Sequence, residues 1–306
     1  MPELPEVETV VRGLQLLLPG REILSVRLGK TDFIDDPAAI EQNVPGCRIV
    51  EVRRRGKFLV VFLEKNRAPQ IESGFAPVRF HLIVHLGMTG QLTVRPGAMP
   101  SALHTHVWFA LDNDRELRYT DPRRFGRMAL VSESGSENIL GALGVDALDA
   151  RQEEFHIRLS GRRARIKALL LDQRVFRGMG NIYTDESLWR ARIHPARLGA
   201  SLKSDEVARL YRAVQNVLRE AIRLGGSSIS DYVNAEGARG EFQLRHRVYQ
   251  REGEKCSRCG AWIRRMIVAG RSSYFCPRCQ RAPRRRRPKK KAAREACHTP
   301  ARQRQK

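Results

Sequence analysis

The chain opens Met1-Pro2-Glu3-Leu4-Pro5-Glu6-Val7-Glu8-Thr9-Val10, a stretch that supports two readings. Read for structure, it starts a helix. Pro5 suits a first helical turn, the acids Glu6 and Glu8 complement the positive end of the helix dipole, and Val7, Val10, Val11, Leu14 and Leu18 fall on one apolar stripe. Read for chemistry, it offers a nucleophile. Removal of the initiator Met1, which the small residue behind it permits, would leave Pro2 as a free secondary amine with carboxylates at Glu3 and Glu6 close by. An α-amino group has a pKa near ~7.7–8.0 against ~10.4 for Lys, so roughly a tenth of it is unprotonated at neutral pH. A secondary amine that attacks a sugar aldehyde carbon gives a permanently cationic iminium, which acidifies the neighbouring C–H and promotes elimination. The two readings are compatible, and the stretch alone favours the plain helix start.

The rest of the chain supplies the context. Its 306 residues suffice for two domains with real cores. No apolar run approaches a membrane span, and an acidic start without a basic region argues against a signal peptide, so the expected address is the cytoplasm, at the nucleoid. A formal charge of +23 points to a polyanionic partner, most commonly nucleic acid. From Arg281 to Lys306 the net charge is +11, which leaves +12 on the body. The body is therefore basic without its tail.

After the first helix, which should end at Pro19-Gly20, short alternating or β-branched runs follow: Ile23 to Leu28, Arg48 to Val52, Phe58 to Leu63, Phe80 to Val84, Gln91 to Val94, Val107 to Leu111, Leu117 to Tyr119 and Arg127 to Val131. They predict a β-rich domain. Arg53-Arg54-Arg55-Gly56-Lys57 lies between two strands, either as a solvated hairpin end or as a phosphate contact that presents Lys57. Residues 67–79 read as an exposed excursion. His85-Leu86-Gly87-Met88-Thr89-Gly90 displays a His and a thioether on a loop, unless Met88 turns into the core. Asp121-Pro122-Arg123-Arg124-Phe125-Gly126 couples guanidinium groups to an aromatic ring on a turn. Such a turn is either solvated with one buried ring, or a base-edge reader beside a wedge.

Ser132 to Asn138 is polar and rich in breakers, a candidate linker, and beyond it the pattern turns helical. Glu153 to Leu159, Ala164 to Leu171, Asp185 to Arg192 and Ser204 to Leu224 are the predicted helices. Between the second and third, Gly178-Met179-Gly180-Asn181 would let backbone N–H groups approach a phosphate, with Asn181 adding a donor. Ser227 to Phe242 reads as a long loop. Cys256-x-x-Cys259 and Cys276-x-x-Cys279 are the most specific local signal, two knuckles that make a closed tetrahedral site for one structural Zn²⁺. Between them a β-hairpin is expected, with Arg271 in its turn. Cys47 and Cys297 have no spaced partners, and the Pro/Lys/Arg composition beyond Arg281 precludes a core.

Taken together, the terminal Pro-Glu-Leu-Pro-Glu, His-Leu-Gly-Met, Asp-Pro-Arg-Arg-Phe-Gly, Gly-Asn-Ile-Tyr and four-cysteine motifs occur in an order that resembles the bacterial formamidopyrimidine-DNA glycosylases, the Fpg/MutM branch of the Fpg/Nei family. The resemblance spans residues 1 to about 280. It implies an α+β multidomain fold, with an N-terminal helix and β-sandwich, a helical helix-two-turn-helix domain and a C-terminal β-hairpin zinc finger. The corresponding boundaries are 1–135, a linker at 136–148, 149–245, 246–280 and a basic tail at 281–306. The implied function is a bifunctional glycosylase and abasic-site lyase that removes 8-oxoguanine and formamidopyrimidines from duplex DNA in base excision repair, working as a monomer.

By the same resemblance Pro2 is the nucleophile, Glu3 the acid–base group and Lys57 the essential lysine. His85, Asn181 and Arg271 grip phosphates, while Met88, Arg123 and Phe125 fill the void left by the extruded nucleotide. The 67–79 excursion and the tail depart from the family pattern. Two rival readings are a non-catalytic zinc-containing DNA-binding protein, which has no need of Pro2 with Glu3, and a terminal-proline enzyme for small carbonyl compounds, which has no need of the finger.

Overall fold

The computed structural model describes residues 1–65, 77–229 and 231–282. Most of the 67–79 excursion and of the basic tail, with Cys297, lie outside the described residues. Helix α1 (Leu4–Leu17) precedes the strands β1 (Glu22–Leu28), β2 (Cys47–Arg55), β3 (Phe58–Lys65), β4 (Val78–His85), β5 (Gln91–Pro96), β6 (Thr105–Leu111), β7 (Arg115–Thr120) and β8 (Arg127–Ser132). A short α2 (Pro37–Asn43) interrupts them after β1; Asp36 caps it by accepting the Ala39 N–H at 3.0 Å. The strands form one sheet, paired throughout as antiparallel neighbours in the order β5-β7-β6-β1-β2-β3-β4-β8. Leu92 and Val94 from one edge and Met128 from the other enter a single apolar core, so the sheet closes over its own interior.

Alternation explains the inward face. On β2, Cys47 and Ile49 point inward, and the register shift between Ile49 and Glu51 moves the inward phase to Val52. Helix α1 lays Val7, Val10, Val11 and Leu14 into this core, while Leu4 at its start belongs to a second core. One helix thereby joins two domains. The apolar stripe read from Val7 to Leu18 fills the first core, and Leu4, one turn before it, extends it into the second.

The second core is built from α4 (Gln152–Leu159), α5 (Ile166–Leu171), α6 (Asn181–Ala191) and α7 (Ser204–Arg223), the last burying Val207, Leu210, Val214, Val217, Leu218 and Ala221. Residues 136–148 contain α3 (Ser136–Leu140) and β9 (Val145–Asp146), which pairs in parallel with β10 (Phe176–Arg177). Arg54 departs from the solvated or phosphate-binding hairpin expected of it. Its side chain is 5% exposed and bonds Glu8 at 2.7 Å and Asp146 at 2.6 Å, so it ties the two domains together.

The loop from Ser227 to Phe242 is also less free than its composition suggests. Tyr232 and Ala235 are buried in the first core, the Ala235 carbonyl accepts the Val94 N–H at 3.1 Å, and the Tyr232 hydroxyl donates to the Glu6 carbonyl at 3.1 Å. The finger closes the described chain with an antiparallel pair, β11 (Arg264–Val268) and β12 (Arg271–Phe275). No helix among the described residues is long and apolar enough to cross a membrane.

Candidate active site

The start of α1 is held by residues far along the chain. The Leu4 N–H donates to the Gly178 carbonyl at 3.0 Å, and the Glu3 carboxylate accepts the Ile182 and Tyr183 N–H groups at 3.0 and 3.4 Å. Those amides belong to the first turn of α6, where unpaired N–H groups and the helix dipole favour an anion. Gly180 makes the approach possible, since a Cβ there would lie 2.2 Å from the Glu3 carboxyl carbon. Two amides just beyond the glycine turn expected to approach a phosphate therefore hold Glu3. Burial pushes the Glu3 pKa up, opposed chiefly by the positive charge of Lys57.

Glu6 forms the second layer. It is 1% exposed and accepts the Glu3 N–H at 2.8 Å, the Ser227 N–H at 2.7 Å and the Tyr183 hydroxyl. Burial, reinforced by the charge of Glu3, raises its pKa to about 7. The terminal helix, α6 and the first residue of the long loop thus meet at one carboxyl group.

Met1, Glu3, Lys57, His85, Met88, Asn181 and Arg271 line one cleft of about 750 Å³, together with Ile229 and Tyr249. Pro2 is buried behind Met1. Lys57 sits at the Gly56 turn between β2 and β3, but it is buried in the cleft rather than displayed at a strand edge; burial lowers its pKa against the pull of Glu3. His85 ends β4, and its Nδ1 accepts the Gly87 N–H at 3.1 Å, which leaves Nε2–H as the outward donor. Burial, with the Lys57 charge adding, lowers its pKa to about 4, so the ring is neutral at pH 7.

Arg123 and Phe125 stand on the turn between β7 and β8 rather than in the cleft lining. The Arg123 guanidinium stacks 4.5 Å from the Phe125 ring centroid, and Phe125 is 55% exposed. Met88, 40% exposed, occupies the neighbouring loop and is the only one of these three that lines the cleft.

Arg271 reaches the cleft from the finger, at the start of β12. The Sγ atoms of Cys256, Cys259, Cys276 and Cys279 lie within 4.8 Å of one another, and all four cysteines are free thiols. Tetrahedral zinc with Zn–S bonds of ~2.3 Å needs sulfurs ~3.8 Å apart, so the cluster fits one structural Zn²⁺. The Trp189 indole N–H donates to Cys256 Sγ at 3.4 Å, orienting a ligand from α6. A second attachment is a fully buried ion pair. Lys167 Nζ donates to Asp185 and to the Ser272 carbonyl, both at 2.7 Å, and Asp185 accepts the Tyr274 N–H at 2.9 Å.

Sequence reasoning gave no role to Tyr183, Lys167 or Asp185. The first signal available was their charge or hydroxyl in otherwise apolar helical positions, because a polar group there must find a partner. Cys47, also without a role, is a buried thiol that donates to the Asn43 carbonyl at 3.1 Å.

Against known proteins, the family model described as formamidopyrimidine-DNA glycosylase N-terminal domain matches residues 1–128, the H2TH domain of the same enzymes matches 143–233, and the zinc finger found in FPG and IleRS matches 253–282. A formamidopyrimidine-DNA glycosylase of Herpetosiphon aurantiacus is 44% identical over 92% of this chain and 100% of its own, and one of Pelotomaculum thermopropionicum is 43% identical over 92% and 99%. Among solved structures, the Lactococcus lactis Fpg complex with abasic-site DNA superposes with a TM-score of 0.81 at 33% identity, covering 92% of this chain and 100% of that one. A variant of the same protein bound to Fapy-dG containing DNA gives 0.81 at 34%, with the same coverage. The terminal proline and buried Glu3 at one end of the cleft and the four-thiol finger at the other are thus found in a chain that belongs to the formamidopyrimidine-DNA glycosylase family.

Proposed function

We propose that Pro2, Glu3 and Lys57 carry the chemistry by which this DNA glycosylase excises oxidised purines in base excision repair and cleaves the resulting abasic site. The observation that carries the assignment is the convergence of Glu3, Lys57, His85, Asn181 and Arg271 on one cleft at the terminal residues. A passive DNA-binding protein would not need a buried carboxyl group, 3% exposed, and a buried lysine facing it beside the chain terminus.

Inside a duplex the sugar carbon is hidden by stacking, so the nucleotide must first be extruded. His85 as a neutral N–H donor, with Asn181 and Arg271, holds the flanking phosphates. Phe125 wedges the stack, Met88 helps fill the vacated space, and Arg123 pairs with the orphaned base. The Pro2 nitrogen, freed of Met1, then forms a bond to C1′ as the glycosidic bond breaks and the base leaves with its electron pair. Glu3, kept protonated longer than an exposed carboxyl by its burial, gives a proton to the ring oxygen as the C1′–O4′ bond opens to the iminium. Lys57 faces Glu3 and favours its anion once that proton has gone. Loss of a C2′ proton expels the 3′ phosphate, and a second elimination expels the 5′ phosphate. The four thiolates hold Zn²⁺, which replaces an apolar core in the finger and takes no part in these steps. We infer that the protein works as a monomer at the chromosome in the cytoplasm.

Borohydride added to a duplex containing 8-oxoguanine tests the assignment. The expected product is protein joined covalently to DNA through its N-terminal peptide. A crosslink at Lys57 or at any other lysine overturns it.

A further inference from the structure

Asp121 begins the turn that bears Arg123 and Phe125, yet its own side chain faces inward and is fully buried. It is engaged from four sides. Oδ1 accepts the Thr89 hydroxyl at 2.5 Å and the Arg123 N–H at 3.3 Å, while Oδ2 accepts the Gly126 N–H at 2.9 Å and the Tyr119 hydroxyl at 3.1 Å. Two of these donors flank Phe125, and Thr89 follows Met88 directly. The two loops also touch backbone to backbone: a Cβ on Gly87, whose φ is +60°, would lie 2.4 Å from the Phe125 carbonyl carbon. Only a residue without a side chain permits that approach.

We propose that Asp121 is the positioning residue that locks Met88, Arg123 and Phe125 into one unit, so that base extrusion and opposite-base choice depend on a carboxylate that never touches DNA. The inference rests on the void-filling reading of those three residues given above. The chemistry favours a carboxylate specifically. It offers lone pairs on both oxygens to four donors, whereas an amide has one acceptor atom and turns an N–H toward a donor. Asparagine at this position would set that N–H against Arg123 N–H or Gly126 N–H, neither of which can rotate away. A buried donor left unpaired costs about 1–3 kcal/mol, enough to release one side of the turn. A loop freed in this way samples other positions before it enters the stack. The loss then falls on the step that needs a pre-formed wedge, and the chemistry at Pro2 is spared.

The test compares three substrates and five variants. Asp121→Asn, Thr89→Val and Thr89→Ser are assayed for kcat/KM on 8-oxoguanine opposite C and opposite A, and for borohydride trapping on a preformed abasic site, where no damaged base has to be extruded. Asp121→Asn and Thr89→Val should lower excision opposite C at least tenfold, narrow the C-to-A ratio, and change abasic trapping less than twofold. Thr89→Ser, which keeps the hydroxyl, should restore wild-type behaviour. Phe125→Ala is the reference for the underlying reading, and Thr89→Val added to it should cost much less than the product of the two single losses, because both act through the same wedge. Should Asp121→Asn not fold, as judged by thermal melting and zinc content, the Thr89 pair and the double variant decide alone. Equal losses in excision and in abasic trapping, an unchanged C-to-A ratio, or multiplicative losses overturn the role of Asp121 while Phe125→Ala still impairs extrusion. If Phe125→Ala itself leaves excision intact, the void-filling reading has failed, and the inference goes with it.

Discussion

The start of α1 and the tip of the zinc finger deliver side chains to the same cleft by opposite means. Glu3 is held by amides 179 and 180 positions further along the chain, and Glu6 behind it by Ser227, 221 positions away. Arg271 stands on a hairpin closed by four thiols that lie within 24 consecutive residues, and the hairpin is docked through Trp189 and the Lys167–Asp185 pair. The first arrangement exists only when both domains are folded against each other. The second is a local unit attached at a few points. Losses at the first should fall on the chemistry, whereas losses at the second should fall on binding.

The sharpest break would come from Glu3→Gln. The shape remains and one of the two amide contacts, to Ile182 or Tyr183, is kept, because the amide has a single acceptor oxygen, but no proton can be passed to the sugar. Excision of 8-oxoguanine at saturating protein should fall about 10²–10⁴-fold, the usual range for a lost acid–base group, with affinity for an uncleavable lesion analogue unchanged. Single-turnover kinetics measure the first quantity and fluorescence anisotropy the second. A Glu3→Gln protein within threefold of the wild-type rate would remove the distinction between the two regions.

At the finger the order should reverse. Cys259→Ser removes a ligand from a segment whose buried apolar cluster is small, Trp189, Val248, Ile263 and two of the cysteines with Ala261 and Tyr274 packed against it. The segment from about Arg247 to Gln280 should unfold and carry Arg271 away. One charge-assisted phosphate contact is worth about 1.5–3 kcal/mol, so DNA affinity should drop roughly ten- to a hundredfold. Metal analysis and anisotropy on the same sample check it, and intact affinity in a zinc-free protein would contradict the docking role of the metal.

The same contrast explains what was legible in the sequence. Strand β1 was expected from Ile23 and runs from Glu22, and helix α7 was expected at Ser204–Leu224 and runs to Arg223, because alternation and helical spacing are local signals. The Cys knuckles were legible for the same reason. Helix α2 was not read, since only Ile40 of its seven residues is buried and no stripe forms. The partners of Glu3, Glu6, Asp121 and Lys167 were hidden altogether. Each is fixed by groups that are close only in the folded chain. Arg54 was misread in the same way, because a run of three arginines says nothing of Glu8 and Asp146 waiting on another element. Two residues of the loop after Ser227 carried apolar side chains, Tyr232 and Ala235, that a loop-like composition concealed.

A smaller effect separates the wedge from both regions. Arg123 is stacked on Phe125 and makes no contact with the cleft, so Arg123→Ala should alter neither zinc content nor abasic trapping. A base-edge contact discriminates by about 1–3 kcal/mol, and the preference for lesion opposite C over lesion opposite A should narrow by that amount. Competition assays on the two duplexes read the ratio directly. Weaker binding to both with the ratio unchanged would make Arg123 a phosphate contact and detach it from the wedge.

The smallest effect sits where the two regions meet electrostatically, at His85. Its pKa is lowered to about 4 by burial first and then by Lys57. The unfolded chain binds a proton at this ring near pH ~6.5, so the folded state binds fewer protons between that pH and about 4. The stability associated with the neutral ring is therefore fully present above pH ~6.5 and is lost as pH falls toward 4. Because the ring is not wholly buried, the loss should be on the order of 1–2 kcal/mol, below the ~3.4 kcal/mol that full coupling at ~1.36 kcal/mol per pH unit would give over this range. Urea unfolding at pH 7.5 and pH 5 should show this decline in the wild type and a shallower one in His85→Gln. DNA reverses the sign for binding. A phosphate at Nε2 favours the imidazolium, so the His85 pKa should rise in the complex and affinity should increase as pH falls below 6, an increase absent from His85→Gln. Carbon-13 chemical shifts of the ring in free and bound protein give both values. A free-state pKa near 6.5 would mean that neither burial nor Lys57 governs this ring. An unmoved pKa on binding would mean that His85 does not face a phosphate.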